Sequence, residues 1–189
     1  MKHAALTLCA LVLFALGCGR KESEVRAYRE ISVVPQRPVD MASTPVPTAE
    51  GSLAWTAPAG WVEQPGSQMR LVTFKVGPDG AECTITAFPG DVGGLEANLR
   101  RWLGQLKVEV AAAELASFAR NPEAVQSEGG LSCQIFDFAG LMPAERADSL
   151  LAAVVPLDGR TAFVKFTGVK TLLASEKANF LALCRSLKP

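Results

Sequence analysis

From Met69 to Val76 and from Ala81 to Phe88, apolar and polar residues alternate with a period of two, which predicts two strands. The four residues between them, Gly77-Pro78-Asp79-Gly80, suit a tight turn, so the pair reads as a β-hairpin. On the second strand Cys83, Ile85 and Ala87 share one face and Glu82, Thr84 and Thr86 the other, which points Cys83 into the core. The period then changes. In the stretch 89–107 Leu95, Leu99, Trp102 and Leu106 recur at helical spacing, with Asn98, Arg101 and Gln105 on the opposite side and Asp91 or Gly93 placed to cap the helix. Glu96 and Arg100 stand four apart and can pair.

A second helix is predicted over Val110 to Arg120, stopped by Asn121-Pro122. Strands follow at Ala124 to Glu128 and Leu131 to Ala139, joined through Gly129-Gly130, and Gly140 to Asp148 reads as a polar loop. A further hairpin spans Ser149 to Val155 and Arg160 to Thr167, turning at Pro156-Leu157-Asp158-Gly159. Thr171 to Leu187 is helical in pattern, with Leu173, Phe180, Cys184 and Leu187 on one face. The order hairpin, turn and helix thus occurs at 69–107 and again at 149–187. Before all of these, Trp55 and Trp61 flank a Pro58-Gly60 turn and read as core anchors. The elements together predict an α+β domain over 51–189, an antiparallel sheet of about six strands with amphipathic helices packed against it.

The N-terminal quarter has another character. Met1-Lys2-His3 leads into about 14 apolar residues, too short to span a bilayer comfortably and about the length of a secretory leader. The tetrapeptide Ala15-Leu16-Gly17-Cys18 closes that run and resembles a bacterial lipobox, with Ala15 where Leu is usual. The resemblance implies that 1–18 is a signal peptide ending at a lipidated Cys18, so that acyl chains hold the chain in a bilayer. Gly19 after the cysteine, in place of Asp, resembles the sorting signal of Gram-negative lipoproteins for the outer membrane. Residues 19–50 carry mixed charge and then Pro, Ser, Thr and Ala, with few large apolar groups, and read as a flexible tether.

Composition narrows the chemistry. Of 189 residues 19 are basic and 19 acidic, and residues 51–189 hold 13 and 14, so the charge excess that phosphate backbones require is missing and nucleic acid is not expected as a partner. The one histidine is His3, inside the leader, which removes Ser-His-Asp and Cys-His catalysis from the processed chain and deprives it of the commonest metal ligand. No C-x-x-C pair occurs, and neither a metal nor a cofactor is expected. Carboxylates alone could serve a hydrolase, and the nearby pairs are Glu145 with Asp148 and Asp91 with Glu96. Cys83, Cys133 and Cys184 allow one disulfide, for which Cys83 and Cys133 are the candidates, or three buried thiols.

Pro58, Gly60 and Trp61 match the P-x-G-W element near the start of PsbP-like domains, and the order of elements also resembles that family. Asn98, Arg101, Trp102 and Gln105 resemble an N-x-x-R-W-x-x-Q segment of uncharacterised bacterial lipoproteins. The resemblance implies an antiparallel sheet between helices and a place in the cell envelope, with no activity attached. The expectation is therefore a non-catalytic accessory lipoprotein, lipid-anchored on the periplasmic face of the outer membrane. Asn98, Arg101 and Gln105 are its candidate contacts for an envelope protein, and a small-ligand or lipid carrier is the alternative.

Overall fold

The fold is that of a computed structural model, which describes residues 53–189 except Gln68 and Asp79. The segments read as leader (1–18, with Cys18) and tether (19–50) lie outside the described residues. Among the described residues seven strands, β1 (Val62–Ser67), β2 (Arg70–Val76), β3 (Ala81–Pro89), β4 (Glu123–Gln126), β5 (Ser132–Asp137), β6 (Asp148–Leu157) and β7 (Arg160–Val169), form one antiparallel sheet in the order β1-β2-β3-β7-β6-β5-β4. Helices α1 (Leu95–Gln105) and α2 (Ala112–Arg120) connect β3 to β4, and α3 (Lys170–Ser175) and α4 (Lys177–Ser186) follow β7. Among the described residues no helix is long and apolar enough to cross a membrane.

The sheet separates two hydrophobic cores. On one face Phe74, Cys83, Ile85, Leu151, Val164 and Phe166 pack under Leu173, Phe180, Leu183 and Cys184 of α3 and α4. On the other Phe136, Leu150, Ala152, Val154 and Phe163 pack under Leu99, Trp102 and Leu103 of α1 and Leu115 of α2. Central β6 is apolar without alternation from Leu150 to Val155, because both of its faces are covered and every one of those residues is buried. The repeated order of elements does not reflect internal symmetry. The two hairpins meet through antiparallel β3 and β7, which a two-fold axis normal to the sheet could relate, yet that axis would put both following helices on one face. They lie on opposite faces.

Trp61 is the core anchor that the sequence pattern predicts. Its ring packs 5.1 Å from Phe166 and 5.8 Å from Phe74, and its indole N–H donates to Glu176 Oε2 at 2.8 Å. Glu176 stands at the break between α3 and α4, so the helix expected over 171–187 is two helices, and Asn179 donates to the same carboxylate oxygen at 2.7 Å.

The strand count differs from expectation by one, and the reason is burial. β1 reads VEQPGS, exposed at every position, so it has no buried face to impose alternation. Its Pro65 is tolerated because the strand is at the sheet edge. Cys83 and Cys133 are free thiols, not a disulfide, and Cys184 is free as well. β7 and β6 lie between their strands β3 and β5, three strand spacings or about 14 Å, where a disulfide needs Cα atoms within about 7 Å. Burial raises the Cys83 and Cys184 thiols and pushes Cys133 up to about 11.

The end of α1 is a Schellman motif. Val108 N–H bonds the Leu103 carbonyl and Lys107 N–H the Gly104 carbonyl, each at 3.0 Å, with Lys107 at φ 54 where glycine is usual. Lys107 is exposed, so Lys107→Gly relieves the left-handed strain without removing packing. Urea unfolding should show the variant more stable by about 0.5–1 kcal/mol, a gain that excess backbone entropy of the unfolded chain keeps modest.

Candidate functional site

α1 covers the sheet over β5, β6 and β7 but stops short of β2 and β3, where that face is polar: Thr73, Lys75, Glu82, Thr84 and Thr86. At the boundary lies a cleft of about 260 Å³. The sheet contributes Arg70, Thr84, Thr86 and Lys165, the helix contributes Asn98, Arg101 and Gln105, and Phe88, Val92, Trp102 and Phe163 form apolar walls. The register assembles the sheet side. Thr84 pairs with Lys165 across β3 and β7, and Arg70 faces Thr86 across β2 and β3.

The three residues singled out in the sequence do line one site, in different roles. Asn98, expected on the polar face, is 1% exposed. Its Nδ2 donates to the carbonyls of Val92 at 3.2 Å and Gly94 at 2.7 Å, while its Oδ1 accepts from Arg101 Nη1 at 2.6 Å. It is a positioning residue that joins the loop before α1 to the guanidinium. Gln105 Oε1 accepts from Lys165 Nζ at 2.7 Å, and the same ammonium sits 5.7 Å from the centroid of the Trp102 ring. Arg101 and Gln105 are exposed.

The entry to α1 differs from the expected cap. Gly94 is the N-cap, at φ 83, and no side chain caps the helix. Asp91 instead folds its own loop, Oδ1 accepting from Gly93 N–H at 3.2 Å. Within that loop Val92 has φ 55, a left-handed conformation that is a genuine outlier for a β-branched residue and costs of order 1–3 kcal/mol. The Asn98 amide holds this residue by its carbonyl, and Val92 lines the cleft.

Charge is the cleft's distinctive property. Several cations elsewhere pair with carboxylates: Lys75 with Glu82, Arg100 with Glu96 at 2.7 Å, Arg146 with Asp148 at 2.7 Å, and Lys177 with Glu123 and Asp137 at 3.3 and 3.4 Å. Among the described residues Arg70, Arg101 and Lys165 make no ion pair, and no carboxylate lines their cleft. Arg70 bonds only a neutral oxygen, Thr73 Oγ1 at 3.3 Å. Burial, and then the charge of Arg70, hold the Lys165 ammonium below the ordinary lysine range.

One member of the Glu145–Asp148 pair and both members of the Asp91–Glu96 pair are bonded within the fold. Asp148 accepts from Arg146 Nε at 2.7 Å and Nη2 at 3.1 Å, and that hydrogen bonding holds its carboxyl below the usual range; Glu96 is engaged by Arg100. Among the described residues no three His, Cys, Asp or Glu side chains gather as a metal site would require.

No protein-family model and no curated protein sequence matches the chain. Among solved structures it is similar to the cyanobacterial PsbP protein, CyanoP, of Synechocystis, at 14% identity and a TM-score of 0.43 over 77% of this chain and 97% of that one. It is also similar to a Bacteroides thetaiotaomicron structure, at 16% identity and a TM-score of 0.39, covering 72% of this chain and 44% of that one. A Pseudomonas aeruginosa protein of unknown function is similar at 10% identity and a TM-score of 0.34, over 81% and 94% of the two chains. One of these three similar structures is that of a PsbP protein.

Arg70, Lys165, Thr84 and Thr86 were not singled out by sequence reasoning. A signal for one of them is present: in Thr161-Ala-Phe-Val-Lys-Phe, Lys165 interrupts an otherwise apolar central strand. A lysine whose folded pKa is depressed costs the fold stability while it is charged, and that cost fades as pH rises through the folded value toward about 10.4. Lys165→Met should therefore be more stable than the parent at pH 7, with the difference shrinking near pH 10, as urea unfolding at the two pH values will measure.

Proposed function

We propose that this chain is a lipid-anchored, non-catalytic binding module of the bacterial cell envelope, which engages an envelope protein through the cleft beside α1. The observation that carries the reading is the grouping of Arg70, Arg101 and Lys165 with no carboxylate partner among the described residues, and with Arg101 held in place by a buried asparagine. Such a grouping is unfavourable in the free protein and is offset when a partner arrives. Anchoring rests on the lipobox-like Ala15-Leu16-Gly17-Cys18 behind an apolar run, and reach from the membrane on the Pro- and Ser/Thr-containing segment 19–50. The non-catalytic reading is supported by the structural employment of Asp148 and Glu96 and by the position of His3 within the leader. The core under α1 and α2 and the core under α3 and α4 are both packed with side chains, which favours a surface cleft over a carrier's internal cavity.

Two variants test the two halves of the proposal separately. Cys18→Ser should move the protein from the membrane fraction to the soluble one; continued membrane association would contradict lipid anchoring. Arg101→Ala leaves the buried Asn98 Oδ1 without its donor, so urea unfolding should show a loss of about 1–3 kcal/mol in a domain that still folds, while recovery of a crosslinked envelope partner falls severalfold. Unchanged recovery would contradict the role of the cleft.

A further inference from the structure

We infer that the cleft beside α1 is a receptor for a single carboxylate carried next to an apolar side chain, as at the end of a peptide or an acidic side chain of a protein partner. The inference rests on the proposal that the cleft is the binding surface, and it assigns the chemistry that the surface selects. Two guanidinium groups and one ammonium converge from three elements, β2, β7 and α1. Each is bonded to neutral oxygens: Arg70 to Thr73, Arg101 to Asn98 and Lys165 to Gln105. A guanidinium has five donors in a fork that matches a carboxylate, so most of the donor capacity at this place is not committed to the described side chains.

Site construction is visible in the second layer. Asn98 is buried and spends both ends of its amide on the cleft, one on Arg101 and the other on the carbonyl of strained Val92. A left-handed valine persists only where its surroundings over-determine it, and such residues cluster at functional sites. The walls set the remainder of the ligand. Half-buried Phe88 and Val92 offer apolar surface beside the cations, backed by the nearly buried rings of Trp102 and Phe163, which suits an apolar group adjacent to the charge. At about 260 Å³ the space lies below the range of about 300–1,000 Å³ typical of sites that enclose a whole drug-sized ligand, so it takes the tip of a larger partner. An acyl chain together with its headgroup phosphate would need more room than this.

The test uses the full ¹⁵N-labelled chain in micelles of an uncharged detergent, titrated with N-acetylphenylalanine, its amide, acetate and inorganic phosphate. N-acetylphenylalanine should shift the amide signals of Thr84, Thr86 and Gln105 and bind at least about tenfold more tightly than the amide, which lacks the charge, or acetate, which lacks the ring. Arg70→Gln and Lys165→Gln should each weaken it by about tenfold; Arg70 is exposed, so that variant reports on binding even where the second perturbs the strand. Equal binding of acid and amide, or shifts unaffected by both substitutions, would overturn the inference. Tighter binding of phosphate than of the acid would overturn it too, in favour of a phosphate-bearing ligand such as a lipid headgroup. Loss of anion binding with the Arg101→Ala effect on partner recovery intact would reject the carboxylate and keep the cleft; failure of both would reject both.

Discussion

The site exists because α1 and α2 are too short to cover one face of a seven-stranded sheet. They cover β5, β6 and β7, and where their cover ends the sheet must turn from apolar to polar within one strand spacing. β7 is the strand on which that change falls. Phe163 lies under Trp102, its ring 5.4 Å away, and two residues later on the same face Lys165 lies at the rim. Burial from one side and the aromatic edge of α1 from above make the rim a step of low dielectric, where charge has larger effects than on an open surface.

On the other face Trp61, Phe166 and Phe180 form a continuous aromatic seam, with ring distances of 5.1 and 6.4 Å, and the Trp61 indole is tied to Glu176 at the joint between α3 and α4. That face is closed. The asymmetry between a filled face and a partly bare one is what gives the domain a front and a back, and it places the strained Val92 loop, the three cleft cations and the apolar wall on the same front.

Much of this was legible in the amino-acid sequence, and the misses share a cause. Elements with one buried side announced themselves through period, as β2, β3 and the apolar face of α1 did. β1 did not, because an exposed edge strand has no face that the core requires to be apolar. The polar stripe Asn98, Arg101 and Gln105 was legible as a candidate, but the buried role of Asn98 was not, since helical spacing cannot tell an asparagine facing solvent from one bonded to the loop beneath it. Arg70 and Lys165 come from strands about 95 residues apart and meet only through the β2-β3-β7 order, a pairing that no local pattern encodes.

The central claim is that the front cleft, and not the closed back, is where an envelope partner sits. Site-specific photo-crosslinking in the native host decides it, with the photoreactive residue placed at Gln105 on the front or at exposed Ala182 of α4 on the back. The account predicts one discrete crosslinked species from position 105 and none from position 182. Equal crosslinking from both positions, or crosslinking from 182 alone, would contradict it.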